Sequence, residues 1–200
     1  MGLRFKKAAS CAALVAAMFA GTTAHANLVT NGGFETGDFS GWTTAIDPQW
    51  DGVDTQSPQA GTYEAFFGNP GGISTISQTL TTLPGNFYNI TFWVMVEADV
   101  TGNSVPNSFE FDWDGAPVTS FANAGPSGYT EYQFKLAAST ASTLLQFSFS
   151  DTPAFIDFDS VDVTAIPEPT SLALALGALG GMVAVRRRPA KKVEAVDEAA

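Results

Sequence analysis

Two hundred residues carry 9 Lys and Arg against 20 Asp and Glu, a formal net charge of −11, and the cations sit almost wholly at the two ends. Between Asn27 and Ala165 Lys135 is the only one, set against 16 carboxylates for a balance of −15, so a phosphate backbone finds no counter-charge and nucleic acid is excluded as a partner. The single histidine and cysteine, His25 and Cys11, precede that span, and it has no arginine. Thiol or Ser-His catalysis, zinc sites built on His or Cys and disulfide stapling fall away; what remains is oxygen chemistry, the ligands of calcium and the partners of sugar hydroxyls.

Residues 1–26 read as a secretory signal peptide: Arg4, Lys6 and Lys7, the apolar run Ala8–Ala20, then Ala24-His25-Ala26 as the small-x-small site. Signal peptidase is the expected partner, cutting before Asn27. Cys11 precedes most of the apolar run, which argues against lipid acylation. A retained signal anchor is the alternative.

Residues 27–165 form one domain of ordinary size, able to bury a full core. Its periodicity is that of strands, with no amphipathic helix. Ile90, Phe92, Val94 and Val96 alternate with Thr91, Trp93, Met95 and Glu97; Phe109, Phe111 and Trp113 alternate with Glu110, Asp112 and Asp114. Further on, Tyr132, Phe134 and Leu136 alternate with Glu131, Gln133 and Lys135, and Leu145, Phe147 and Phe149 with Gln146, Ser148 and Ser150. Each is a strand with one buried face. Breaks at Asn69-Pro70-Gly71-Gly72, Pro84-Gly85-Asn86 and Gly125-Pro126-Ser127-Gly128 separate them at the spacing of a β-sandwich.

Several stretches together resemble the galactose-binding-like jelly rolls found among carbohydrate-binding modules. They are Asn27 to Glu35 (Asn-Leu-Val-Thr-Asn-Gly-Gly-Phe-Glu) followed by Gly41-Trp42, Ile76 to Leu80, Phe87 to Trp93, and Phe158-Asp159-Ser160-Val161-Asp162-Val163. The resemblance implies an all-β, antiparallel jelly-roll sandwich in which the first and last strands lie side by side and share a structural calcium, with Glu35 and Asp159 at the matching positions. Alternation in the last strand supports the transfer: Asp157, Asp159, Val161 and Val163 share a face, so Asp159 is expected to point inward with the valines. A buried carboxylate needs a cation, a proton or a metal, and Lys135 alone cannot serve two acids. A β-bulge at Asp159-Ser160 that turns the carboxylate to water is the alternative.

Glu110 to Gly115 (Glu-Phe-Asp-Trp-Asp-Gly) looks like the start of an EF-hand loop, but its twelfth position would be Phe121 where a bidentate Glu is needed. A strand ending in an Asp-Gly turn explains it better. Asn89-Ile90-Thr91 fits a glycosylation sequon but falls inside a strand. Packing is the plain reading of Trp42, Trp93 and Trp113. A sugar platform wants flat rings beside amides and carboxylates, and the stretch 47–63 supplies both; Trp50, Tyr63 and, from the face it shares with Met95, Trp93 are the candidate ligand-binding residues.

At the end of the chain Pro167-Glu168-Pro169 precedes an apolar run, Ser171–Val185, and the cluster Arg186-Arg187-Arg188. The prolines bar a helix before Thr170, which can cap the one that follows. Its 15 residues would span only roughly 22 Å, short of the roughly 30 Å hydrocarbon core, so this short transmembrane helix would hold the inner membrane weakly or transiently, with the arginines on the cytoplasmic side. That order of features closely resembles the PEP-CTERM sorting signal of Gram-negative bacteria. The resemblance covers residues 166–188 and implies removal by an exosortase and an association with extracellular polysaccharide. Residues 189–200 form a cytoplasmic tail longer than the family's usual ending.

The expectation is therefore an exported, non-catalytic protein, first an inner-membrane-anchored precursor and then at the cell surface or outside, that binds or embeds in extracellular polysaccharide. A purely structural surface protein without a discrete ligand is the alternative. A small glycosidase is the rival from another class, because paired carboxylates alone cleave glycosides; Glu64 and Glu97 are its candidates.

Overall fold

A computed structural model describes residues 26–167. Ten strands build two five-stranded antiparallel sheets. The first sheet contains β1 (Thr43–Ala45), β4 (Ser74–Thr81), β9 (Ser142–Asp151), β6 (Asn107–Trp113) and β7 (Ala116–Ala122), in that spatial order. The second contains β2 (Asp51–Asp54), β3 (Glu64–Phe67), β10 (Ile156–Ala165), β5 (Phe87–Val96) and β8 (Ser127–Ala137). No described helix is long and apolar enough to cross a membrane. The signal-peptide reading of 1–25 and the sorting-signal reading of 168–188 lie outside the described residues, as does the tail.

Alternating apolar side chains from both sheets meet in one core, as packed sheets require. Ile90, Phe92 and Val94 of β5 and Ile156 and Phe158 of β10 face Phe109 and Phe111 of β6 and Leu145, Phe147 and Phe149 of β9. The centre is mostly phenylalanine: Phe67 stacks on Phe149 with centroids 3.9 Å apart and planes 4° from parallel, while Phe92 meets Phe147 edge-on at 5.0 Å. Trp42 and Trp113 are buried as packing residues. The Asp114-Gly115 pair makes the two-residue β6–β7 hairpin turn with positive φ at both positions (57° and 76°). That is the type I′ geometry the dipeptide favours, and it accounts for the residues that resembled an EF-hand.

The first and last stretches of the domain lie side by side. Leu28 N–H donates to Val163 O at 2.8 Å and Val161 N–H to Gly32 O at 2.8 Å, while the Asn27 side chain accepts from Val163 N–H and donates to Val161 O. Gly32 is required there, because a Cβ would stand 2.1 Å from the Val161 carbonyl oxygen.

One expectation about β10 is corrected. Its pairing with β5 shifts between Asp159 and Asp162, and Ser160 takes φ of 55°, so a β-bulge inserts one residue and reverses the alternation. Ile156 and Phe158 face the core before it, Val161 and Val163 after it, and Asp157 and Asp159 lie on the outer face, not with the valines. The bulge does not deliver Asp159 to water either: the residue is 0% exposed.

Candidate functional site

The outer face of the second sheet carries an unusual row of side chains. Strand register places Asp54 opposite Glu64, Asp159 opposite Trp93 and Trp93 opposite Glu131, and it carries Glu64 alongside Asp159. The row crosses all five strands, and every member except Trp93 is an acid. The next row holds Gly52, Phe66, Asp157 and Met95.

Asp159 is covered by the turn that follows β2. Gln59 and Ala60 N–H donate to its Oδ2 at 2.9 and 3.0 Å, and Ser160 N–H to its Oδ1 at 2.5 Å. Backbone donors thus supply compensation that the sequence argument had assigned to a cation, a proton or a metal. Burial still raises its pKa, with the backbone donors opposing and Glu35 adding to the rise. Glu35 is held by the same turn, its Oε1 accepting from Thr62 and Tyr63 N–H at 2.9 and 3.1 Å. Gly61 has φ of 73°, and a side chain there would strike the Glu35 carboxylate. The two predicted calcium ligands flank Gly33: a Cβ on that glycine would fill the space between Asp159 Oδ1 and Glu35 Cγ, 3.8 Å from each. Two acids beside an open glycine offer oxygen ligands of the kind a hard cation takes, while among the described residues no group of three such side chains gathers to hold one. Lys135 is placed elsewhere, over the ring of Phe87 at 5.0 Å.

Further along the face, Asp54, Glu64, Glu97 and Asp157 border one cavity of about 100 Å³, walled by Phe66 and Phe155 in an edge-on pair 5.5 Å apart. Glu64 Oε1 accepts from Ser57 N–H at 2.7 Å, but Oε2 has no hydrogen-bond partner, and neither has Asp157 Oδ2 or the buried Tyr129 hydroxyl. Glu64 and Asp157 are 1% and 3% exposed. Burial, then contact with Asp54, pushes Glu64 up to about 7; burial, then the charges of Glu97 and Glu64, pushes Asp157 up to about 8. Tyr129 is raised by burial and by Asp157. Asp54 is held below the usual carboxylate range, since donors from Gln56 and the Glu64 carboxyl outweigh its own burial.

Two wider open hollows continue the face along β5. One, of about 520 Å³, is bordered by Asn89, Thr91, Gln133, Lys135 and Asp162; the other, of about 420 Å³, by Met95, Glu97, Pro126 and Ser127. Asn89 to Met95 covers roughly 20 Å at strand rise, with Trp93 between the ends. Amides, hydroxyls and carboxylates beside a half-buried ring are what a sugar chain needs for hydrogen bonding and stacking.

No protein-family model and no curated protein matches the chain. Solved structures do. A family 61 carbohydrate-binding module, TmCBM61, solved with β-1,4-galactotriose, superposes with a TM-score of 0.50 at 21% identity over 72% of this chain and 99% of its own. The CBM22-1 xylan-binding domain of Xyn10C from Paenibacillus barcinonensis gives 0.52 at 18% identity over 72% and 97%. The enzymatically active domain of tailspike protein 4 from bacteriophage CBA120 gives 0.51 at 18% identity over 70% of this chain but only 21% of that one. The shared property is the jelly-roll fold.

The other predicted ligand residues do not join Trp93. Trp50 is 37% exposed at the Asp51–Phe67 end of the β2–β3 ladder, whereas Tyr63 lies at the Asp54–Glu64 end, against Gly37 and the core. About 13 Å of strand separates them. Glu64 and Glu97, the candidate pair of the glycosidase reading, border one cavity. Asp157, Glu131 and Tyr129 were missed as site residues; for Asp157 the only signal was a carboxylate set between Ile156 and Phe158.

Proposed function

We propose that this chain is an exported, non-catalytic polysaccharide-binding domain whose binding surface is the outer face of the second sheet. The observation that carries the reading is Trp93, half-buried and set between Asp159 and Glu131 on that face, with a polar hollow on one side and a mostly apolar one, bearing Glu97 and Ser127, on the other. The fold shared with modules whose names record xylan binding and a bound galactotriose supports it and selects the first probes. In isothermal titration against xylan- and galactan-derived oligosaccharides, Trp93→Ala should weaken binding about five- to a hundredfold, because losing a stacked ring costs about 1–3 kcal/mol in comparable settings, while leaving the melting temperature nearly unchanged. Equal affinity in wild type and Trp93→Ala would rule this face out.

A glycosidase is the second reading, favoured by the convergence of Glu64 and Glu97 on one cavity. About 100 Å³ between buried walls leaves little room for a glycosidic bond with a sugar on each side. Release of reducing ends that disappears in Glu64→Gln or Glu97→Gln would establish it over the binding reading.

Calcium belongs to the proposal as a structural ion. Glu35 and Asp159 would hold it, and it would tie the start of the domain to β10 and add positive charge to a face whose only cation among the described residues is Lys135. A folded-state ion at 100 times its dissociation constant adds about 2.7 kcal/mol, so a chelator should lower the melting temperature by several degrees. No shift, with no metal found by elemental analysis, removes the ion.

The route out of the cell is proposed on Pro167, Glu168 and Pro169 and on Arg186, Arg187 and Arg188 as a PEP-CTERM signal for an exosortase, with a first cut after Ala26. The intact mass of the exported protein tests both cuts. A product retaining residues 171–188 would remove the sorting reading.

A further inference from the structure

The cavity bordered by Glu64, Asp157, Glu97 and Asp54 joins the proposed glycan face, and two of its buried oxygens have no hydrogen-bond partner. Glu64 Oε2 and Asp157 Oδ2 belong to side chains more than nine-tenths buried and accept no hydrogen bond. Glu64 can share its proton with Asp54 and Asp157 with Glu97, and once Glu64 and Asp157 ionise acceptors face acceptors. Burying such oxygens without a donor is costly. The unpaired Tyr129 hydroxyl near Asp157 is a neutral donor but makes no hydrogen bond to it, and Lys135, the only cation between Asn27 and Ala165, lies over Phe87, so a positive charge for the ionised pocket has to come from outside.

Size and shape narrow its chemistry. About 100 Å³ holds roughly three water volumes, room for one small charged substituent and the carbons that carry it. Among the described residues no three carboxylates converge closely enough to hold a metal ion. Acceptors spread around a pocket suit a group with several N–H donors better than a single point of coordination. The Phe66 and Phe155 rings offer that group the face of an aromatic pair, which attracts ammonium as well as apolar carbon. Asp157 is opposite Met95, beside Trp93 on the same strand, so a chain lying over the tryptophan ring brings its neighbouring substituent to the pocket.

We propose that this pocket is a subsite for a cationic amino sugar, receiving the free ammonium of a hexosamine unit in a partly or fully deacetylated polysaccharide. The inference rests on the reading of this face as a glycan platform and specifies which glycans it prefers.

The test is calorimetric titration of the purified full-length chain, at one fixed ionic strength, with a β-1,4-linked glucosamine tetramer, its N-acetylated counterpart and a neutral xylotetraose. Wild type should bind the free amine at least tenfold more tightly than the acetylated tetramer. That preference should vanish in the double variant Glu64→Gln/Asp157→Asn and persist in Glu110→Gln, whose carboxylate sits on the other sheet. If the double variant does not fold, Glu97→Gln at the half-buried rim reads the same preference. Equal affinity for the two tetramers, or a preference that survives these changes, overturns the subsite. Binding of xylotetraose without any amine preference overturns it while leaving the glycan platform standing. No binding of any of the three overturns both, as does a lysine-rich peptide that occupies the pocket when the sugars do not.

Discussion

Asp159 accepts three backbone N–H groups from two different parts of the chain, and that makes it a structural tie as well as a charge. Asp159→Ala would orphan donors from Gln59, Ala60 and Ser160 and release the turn that also holds Glu35. Charge-assisted hydrogen bonds are worth about 1.5–3 kcal/mol each and are not additive, so a loss of roughly 3 kcal/mol or more is expected by urea denaturation. Asp159→Asn keeps one acceptor oxygen and should cost clearly less. Equal stability of the alanine and asparagine variants would show that the turn draws nothing from these bonds. The importance of Asp159 was legible in the sequence, because an acid before Val-x-Val in the last strand stands out in a nearly cation-free domain. Its partners were not. Backbone amides leave no mark in side-chain identity, and Gln59 and Ala60 lie 100 and 99 residues away.

The bulge in β10 is the element on which the outer face depends. Without the extra residue, Asp157 and Asp159 would share a face with Val161 and Val163 and be driven into the phenylalanine core, or the valines would be driven out. Ser160 absorbs the irregularity with φ of 55°, a region that penalises β-branched side chains. Ser160→Gly relieves that strain but loses the hydroxyl's bond to Gln59 Oε1 at 2.9 Å and should come out near neutral, whereas Ser160→Val should cost about 1–2 kcal/mol through strain with the lost bond in addition, measured by the shift in urea midpoint at constant slope. Gly32→Ala should be worse, since its methyl would collide with the Val161 carbonyl directly beyond the bulge. Long strands with clean alternation, β5, β6, β8 and β9, were readable from period alone, whereas β4 entered through the jelly-roll resemblance and the alternation of β10 misled because the bulge reverses it. β1 to β3 were not readable: three or four residues are too few to show a period, and Glu64-Ala65-Phe66-Phe67 mixes a buried acid with apolar side chains on both faces. β7 hid for another reason, being an edge strand of small and half-exposed residues. The bulge itself could be entertained from sequence but not placed, because a serine with positive φ looks like any other serine.

The domain as a whole carries its negative charge without internal relief, and that sets how it responds to solution conditions. Glu64 and Asp157 have folded-state pKa values near 7 and 8, raised chiefly by burial above unfolded values of about 4. A group raised in this way contributes stability that is complete below the unfolded pKa and disappears as pH climbs through the folded one, because the folded state holds more protons across that window. Asp151, lifted to about 6 by burial at the end of β9, acts in the same direction. The melting temperature should therefore fall between pH 5 and pH 8.5, by several degrees, and Glu64→Gln should flatten the profile. A melting temperature that rises over this range would contradict the burial of these acids. Added salt should stabilise the protein at pH 8 by screening a balance near −15, and it should do so less at pH 5.

β10 sits third of five in its sheet, hydrogen-bonded to β5 along its length and, on the other side, to β3 and to residues 27–32. It is also the strand that leads into residues 166 and 167. A force transmitted through that end runs along the axis of an interior strand, so the bonds on both flanks resist together in shear and cannot be peeled apart one at a time. A module tethered by that end and gripping a polymer with its outer face would therefore take tension along its mechanically strongest direction.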